Sequence, residues 1–313
     1  MIVLHKLRVV IRLPVSVCWP AKQALNSEIK RFQMALSLPE EIEIHRDNLW
    51  RRTPDLRIER AVEAEQMVED VGFCAALTDA RRGGPSIYVA VCGRRDAHIP
   101  RNVQKDPEAS LAWTLKDDVM RRGRVYYAKL GKGRATFVAS RLIPHFNALW
   151  GVPRRKESER LSADARAVLK VLRREWEMAT GDLRKESGIE DRKRFTRAIE
   201  ELQRAMKVIP GEVLYEPWFT YIWMIAEGRF AKELAVKVKR ETALREVARA
   251  YLNGAGMTLR GELAKVTGLS RPDAGKGNHA LVAEEYAERL AEGVYRLSDI
   301  EGSLKSKSIV DLD

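Results

Sequence analysis

Apolar positions recur at helical spacing over much of the chain and give way at intervals to short β-prone runs. Ala165, Val168, Leu169, Leu172 and Trp176 share one face at 3.6 residues per turn, and Ser162 stands where a helix cap belongs. A second stripe, Phe195, Ala198, Ile199, Leu202 and Met206, predicts a helix over about 191–206. Its opposite arc carries Lys193, Arg197, Glu200 and Arg204, with Arg192 and Arg194 nearer the start. Between the two stripes, Thr180 is placed to cap a short helix and Gly188 to end it, because the chain needs a left-handed residue to turn there. After the second stripe come Val208-Ile209, a Pro210-Gly211 turn, Glu212-Val213-Leu214-Tyr215 and the aromatic run Phe219-Thr220-Tyr221-Ile222-Trp223, a predicted hairpin.

The same order returns further along. Gly181-Asp182-Leu183-Arg184-Lys185-Glu186-Ser187-Gly188-Ile189 is matched by Gly261-Glu262-Leu263-Ala264-Lys265-Val266-Thr267-Gly268-Leu269, at an offset of 80 residues. The second copy leads into a predicted helix through Ala280, Leu281, Tyr286 and Leu290, then Gly293-Val294-Tyr295-Arg296-Leu297. Helix, short helix, turn, helix and hairpin predict a winged helix. Upstream, apolar-periodic segments at about 57–71, from Pro85 to Gly93 and from Pro107 to Met120 precede a hairpin of Arg124–Leu130 and Arg134–Ala139 around Gly131-Lys132-Gly133. No copy of the Gly-acid-Leu-x-Lys pattern occurs there, so this unit rests on the order of its elements.

The expected fold class is mainly α with small β-hairpins, an α+β chain of three tandem winged-helix domains. Their boundaries are read at 51–156, 157–230 and 231–298, between an N-terminal extension at 1–50 and a flexible tail at 299–313. A strand near 9–17 and a helix near 21–36 are predicted within the extension.

Composition and charge narrow what such a chain does. The 313 residues are 45% hydrophobic and 32% charged, the balance of a soluble globular protein, and no unbroken apolar stretch suits a signal peptide or membrane span. A cytoplasmic protein with no membrane partner is expected, nucleoid-associated when bound to DNA. The 3 cysteines and 5 histidines are scattered without ligand spacing, so neither metal nor other cofactor is expected. The net charge of +12 attracts polyanions.

Its distribution singles out residues 119–156, which contain no acid but hold Arg121, Arg122, Arg124, Lys129, Lys132, Arg134, Arg141, Arg154, Arg155 and Lys156. A basic hairpin tip suits a phosphate backbone, and a cationic third helix suits a major groove. The candidate DNA-binding residues are therefore Arg121, Arg122, Arg124, Lys129, Lys132, Arg134, Arg192, Lys193, Arg194, Arg197 and Arg204. Winged helices also serve as protein-binding modules, and a basic stretch also serves as a solvated loop; charge concentrated on the third helix favours nucleic acid.

Family-like patterns lie on these elements: Val71-Gly72-Phe73-Cys74, Pro85-Ser86-Ile87-Tyr88 leading to Cys92-Gly93-Arg94, Trp113-Thr114-Leu115-Lys116-Asp117, and Arg124-Val125-Tyr126-Tyr127-Ala128-Lys129. They continue through Thr136-Phe137-Val138 and Phe195-Thr196-Arg197-Ala198 to Leu202-Gln203. Through them the chain resembles, over about 55–297, the tandem winged-helix proteins related to the AlkZ and YcaQ DNA glycosylases. That resemblance implies three winged helices forming a concave DNA-binding face, and glycosidic cleavage dependent on a Gln-x-Gln or Gln-x-Asp motif in the first domain.

Cleavage of an N-glycosidic bond needs a group to position water and stabilise charge on the sugar. Gln23, Gln33, Gln66 and Gln104 are followed two residues later by Leu25, Ala35, Val68 and Asp106. Only Gln104-Lys105-Asp106 fits, in a predicted loop past the motif's place, so no catalytic residue is assigned. Asp117-Asp118 offer a carboxylate, but beside Lys116 and Arg121 they fit structural ion pairs. No phosphate loop, nucleophile elbow or catalytic triad signature is present. The expected function is binding of double-stranded DNA, damaged or distorted, in DNA repair. A divergent glycosylase acting on alkylated or crosslinked bases, and a transcription regulator, are the alternatives.

Overall fold

The computed structural model describes residues 38–300, together with two short strands, β1 (Ile2–Val3) and β2 (Val10–Ile11), that pair antiparallel. Of the strand expected near 9–17, Val10–Ile11 is present; the helix expected near 21–36 lies outside the described residues. The chain divides by its contacts into Met1–Glu43 and Ile44–Asp313. Helix α1 spans Glu40–Trp50 and brings Leu49 and Trp50 into the core of the second unit.

From Ala61 onward one order of elements occurs three times: helix, short strand, two helices, hairpin. The first set is α2 (Ala61–Val71), β3 (Phe73–Ala75), α3 (Ile87–Cys92), α4 (Pro107–Arg122), β4 (Tyr126–Leu130) and β5 (Arg134–Val138). Helix α5 (Ile143–Trp150) follows. The second set is α6 (Ala163–Glu175), β6 (Glu177–Ala179), α7 (Thr180–Glu186), α8 (Arg192–Arg204), β7 (Val208–Leu214) and β8 (Thr220–Ile225). The third is α9 (Arg240–Ala255), β9 (Met257–Thr258), α10 (Glu262–Thr267), α11 (Arg271–Ala283), β10 (Ala287–Ala291) and β11 (Val294–Leu297). In each set the short strand pairs antiparallel with the last strand of the hairpin, giving the orders β3-β5-β4, β6-β8-β7 and β9-β11-β10. The architecture is α+β: helices with small antiparallel sheets. The repeat seen in two copies by sequence has a third copy in strand order.

Local chemistry explains the element ends. Asp106, Ser162, Asp191 and Ser270 each accept a bond from the backbone amide three residues on, satisfying a helix-start donor. Thr180 does not cap α7. Its hydroxyl donates to the Tyr221 carbonyl and accepts from Trp223 Nε1, which ties α7 to β8 instead. Pro210-Gly211 is not the hairpin turn either: both residues lie inside β7, with Pro210 opposite Trp223 and Gly211 at the bulge before Glu212, and the turn falls at 215–219. The last helix ends at Ala283 rather than running on through Tyr286 and Leu290, because Glu285 takes a φ of 58° and the chain turns into β10. Ile300 packs on the core, and the rest of the expected tail, 301–313, lies outside the described residues.

The residue that turns each first helix into its short strand has positive φ in all three copies: Gly72 at 83°, Trp176 at 67° and Gly256 at 66°. Glycine takes this conformation freely and a side chain does not. Trp176, expected on the apolar stripe of α6, is instead 65% exposed one residue beyond the helix end. Its indole recovers little burial to offset the backbone strain. Trp176→Gly is expected to raise stability by about 1 kcal/mol, as a higher denaturation midpoint in urea; an unchanged or lower midpoint contradicts this.

Two cores hold the repeats. One runs from Leu49 through the first set and includes Tyr251, Leu263, Leu281 and Leu297 of the third, joined through rings of Phe73 stacked on Tyr251 and edge-on to Phe146. The other belongs to the second set, with Leu169, Leu172, Leu183, Phe195, Ile199 and Leu202. The first hairpin also meets the third set directly. A Cβ on Gly131 would stand 1.9 Å from the Thr267 carbonyl oxygen, and one on Gly268 2.7 Å from Gly131 Cα. Only glycine at both places lets the two backbones approach so closely.

Candidate nucleic-acid interface

Helix α8 carries a cluster of exposed positive charge. Its apolar face, Phe195, Ala198, Ile199 and Leu202, is buried in the second core, so the geometry of the helix turns Arg192, Lys193, Arg197 and Arg204 outward. Arg192, Lys193, Thr196 and Arg197 line a shallow groove at the helix start. Arg197 and Arg204 donate Nε to the carbonyls of Lys193 and Glu200 of their own helix, which leaves their terminal nitrogens directed outward. None of these four cations has a carboxylate partner among the described ion pairs. Arg194 differs: it pairs through two bonds with Asp164 on α6, which holds the Asp164 carboxyl below its usual range. It locks α8 to α6.

The acid-free segment at 119–156 is not acid-free in space. Arg121 pairs with Glu212 on β7 and with Asp118, and donates to the Val213 carbonyl at 2.9 Å. The bond to Glu212 raises the Arg121 guanidinium above its ordinary value. Arg122 donates to Glu65 at 2.7 Å, and Arg124 stands 3.9 Å from the same carboxylate. Lys129 Nζ bonds Glu200 of α8 at 2.8 Å, while the Lys129 amide donates to Gln203 Oε1. Arg134 donates to the Lys265 carbonyl at 2.8 Å, and burial pulls its guanidinium below the ordinary value. Lys132 alone of the hairpin's candidates keeps no described partner. Carboxylates from α2, β7 and α8 thus take up Arg121, Arg122 and Lys129, while Lys132, Arg154, Arg155 and Lys156 have no carboxylate partner among the described ion pairs.

The structure therefore separates the candidates into a patch and a framework. Arg192, Lys193, Arg197 and Arg204 form the patch. Arg121, Arg122, Lys129, Arg134 and Arg194 tie one element to another, with Arg124 beside Glu65. A further basic groove, lined by Arg154, Arg155, Lys156, Arg160 and Lys237, runs beside Asn147 and Met206.

The carboxylates weighed for chemistry have structural partners. Asp106 caps α4. Asp118 pairs with Arg121. Asp117 is buried beside the equally buried Lys116, Nζ to Oδ1 2.8 Å, and accepts from the Tyr215 hydroxyl. Lys116 Nζ also donates to the Tyr221 hydroxyl at 2.9 Å and lies 4.0 Å from the centre of the Trp113 ring. The aromatic half of this cluster was not among the sequence candidates. Its signal was present as Trp113 and Lys116 one helical turn apart, but the partners Tyr215 and Tyr221 lie about a hundred residues away and only folding brings them in.

Among the described residues no group of His, Cys, Asp and Glu is placed to hold a metal ion, and no helix is long and apolar enough to cross a membrane. Buried Cys74 has its thiol pushed well above the ordinary value by burial, and Cys92 is pushed up to about 12 by the same cause, so burial disfavours the reactive thiolate at both.

No curated protein matches the chain. Among solved structures it is similar to Streptomyces sahachiroi DNA glycosylase AlkZ, at 13% identity over 86% of this chain and 71% of that one, with a TM-score of 0.49. The family model described as AlkZ related matches residues 58–246, which takes in the first two sets of elements and the start of the third, and the chain belongs to that AlkZ-related family.

Proposed function

We propose that the protein binds double-stranded DNA through three winged helices, at 51–156, 157–230 and 231–298, with α8 as the recognition helix of the middle one. The observation that carries this reading is the outward face of α8, where Arg192, Lys193, Arg197 and Arg204 stand exposed with no carboxylate partner among the described residues. Four exposed cations on one helix face, without a described carboxylate within ion-pair distance, are suited to an external polyanion. Membership of the AlkZ-related family supports a role in DNA repair, on damaged or distorted duplex. With Asp106, Asp117 and Asp118 held by structural partners, the reading rests on binding rather than cleavage.

The test is a titration of a fluorescent duplex at several salt concentrations. Neutralising about four phosphates gives a slope of log K against log salt of about −3.6. Affinity that does not change with salt, or no association at low salt, overturns the proposal.

A further inference from the structure

Two linkers, one leading from α5 into the second set of elements and one leading into α9, line a single groove of about 890 Å³. Asn147 of α5 ties them together, donating Nδ2 to the Leu234 carbonyl at 3.2 Å. Both linkers run extended: Gly151 and Pro153 each have φ −59° and ψ 145°, Val236 has −67° and 123°, and Lys239 has −68° and 145°. The amides of Lys237, Val238 and Lys239 donate no bond among the described hydrogen bonds. An extended stretch with unbonded N–H groups is an edge on which a second extended segment can pair.

The lining says what kind of segment that is. Arg154, Arg155, Lys156, Arg160 and Lys237 are exposed in the groove and have no carboxylate partner among the described ion pairs. The one acid of the lining, Glu227, stands 3.8 Å from Lys207, which is also bonded to Glu157 at 3.0 Å. The groove therefore keeps an excess of positive charge. The same lining holds Val152, Pro153, Leu234, Ala235 and Val236, the last 52% exposed. Phosphate alone would leave these apolar groups in water, whereas an extended peptide that alternates acidic and aliphatic residues serves both kinds of neighbour.

The chain carries such a segment outside the described residues, Ile309-Val310-Asp311-Leu312-Asp313, with two acids and no base. In an extended conformation Val310 and Leu312 share one face, and Asp311 and Asp313 the other. The segment can reach. The Ser298 amide donates to the Tyr286 carbonyl at 3.2 Å, and the Tyr286 ring lies 4.2 Å from the Arg249 guanidinium. From Arg249 back to Arg240, the first residue of α9, is about 14 Å of helix, and Lys237 lies just before it. Residues 300 to 309, fully extended, span about 30 Å.

We propose that Ile309–Asp313 docks in this groove within its own chain, as an extended segment with its carboxylates on Arg154, Arg155 and Lys237 and its aliphatic side chains on Val152, Leu234 and Val236. Seated there, it bridges the two linkers that join the three sets of elements.

The test is carbodiimide coupling of the whole protein, which joins a carboxylate to an amine it touches, with the products mapped by mass spectrometry. Amide links from Asp311 or Asp313 to Lys156 or Lys237 are expected in the monomer. Arg154→Ala with Arg155→Ala leaves both lysines in place and is expected to cut the yield of those links about fivefold, through lost charge attraction. Leu312→Ser is expected to cut it by about the same factor, through lost burial of an aliphatic side chain. A yield that Leu312→Ser does not change means attraction by charge alone and overturns the docked segment. Links to Lys132 or Lys193 in place of Lys156 and Lys237 overturn the groove as its site. Links formed only between two copies overturn docking within one chain. No link from either aspartate overturns the proposal outright, and protection of Lys156 and Lys237 from acetylation by added duplex DNA would then give the groove to nucleic acid.

Discussion

Lys116→Met is expected to destabilise the protein by about 3 to 5 kcal/mol, a loss large enough to lower the urea midpoint well outside measurement error. Lys116 and Asp117 are both buried, and each is the other's charge partner at 2.8 Å. Removing the ammonium leaves the carboxylate in a low-dielectric site with only the Tyr215 hydroxyl to solvate it. A lysine also spans the space between Trp113 and the Tyr221 hydroxyl, so its loss loosens α4 from the β7–β8 hairpin. The double variant Lys116→Met, Asp117→Leu removes both charges and is expected to recover most of that loss, since two apolar side chains need no counter-charge there. If the double variant is as unstable as the single one, packing rather than charge holds this junction.

The elements that were legible in the sequence are those whose pattern is local. The apolar stripe of α8, its cap at Asp191 and the repeated Gly-acid-Leu-x-Lys segment all concern neighbours within a few turns. Family membership was legible for the same reason, through short runs such as Trp113-Thr114-Leu115-Lys116-Asp117. Pairing between distant elements was not. A run of basic residues from 119 to 156 looks like a patch on paper, but Glu65, Glu200 and Glu212 arrive from other elements and take up Arg122, Lys129 and Arg121. The Pro210-Gly211 pair misled because turn residues also suit a bulge, where Gly211 is the extra residue between Pro210 and Glu212 and makes room for Met224. Trp176 misled because its spacing continues the stripe of α6 one residue past the point where the backbone leaves the helix.

Helix α8 gives the sharpest test of how charge and burial divide a single element. Arg197→Ala with Arg204→Ala is expected to leave the melting temperature nearly unchanged, because both side chains are exposed and bond only to carbonyls of their own helix. Duplex affinity should fall by about 1 to 3 kcal/mol for an arginine that reads a base edge, and by a smaller amount, equal across sequences, for one that touches phosphate. Phosphate contact would also make the salt slope shallower by about one per residue. Leu202 lies between them in sequence but faces inward, fully buried against Leu172 and Phe195 in the second core. Leu202→Ala is expected to cost about 2 to 5 kcal/mol of stability through lost burial and the cavity left behind. Its affinity should recover at temperatures where the variant is fully folded. A thermal melt and a duplex titration on each variant separate the cases: an arginine variant that melts early while keeping its affinity would reverse the faces, and α8 would then be a surface for another protein.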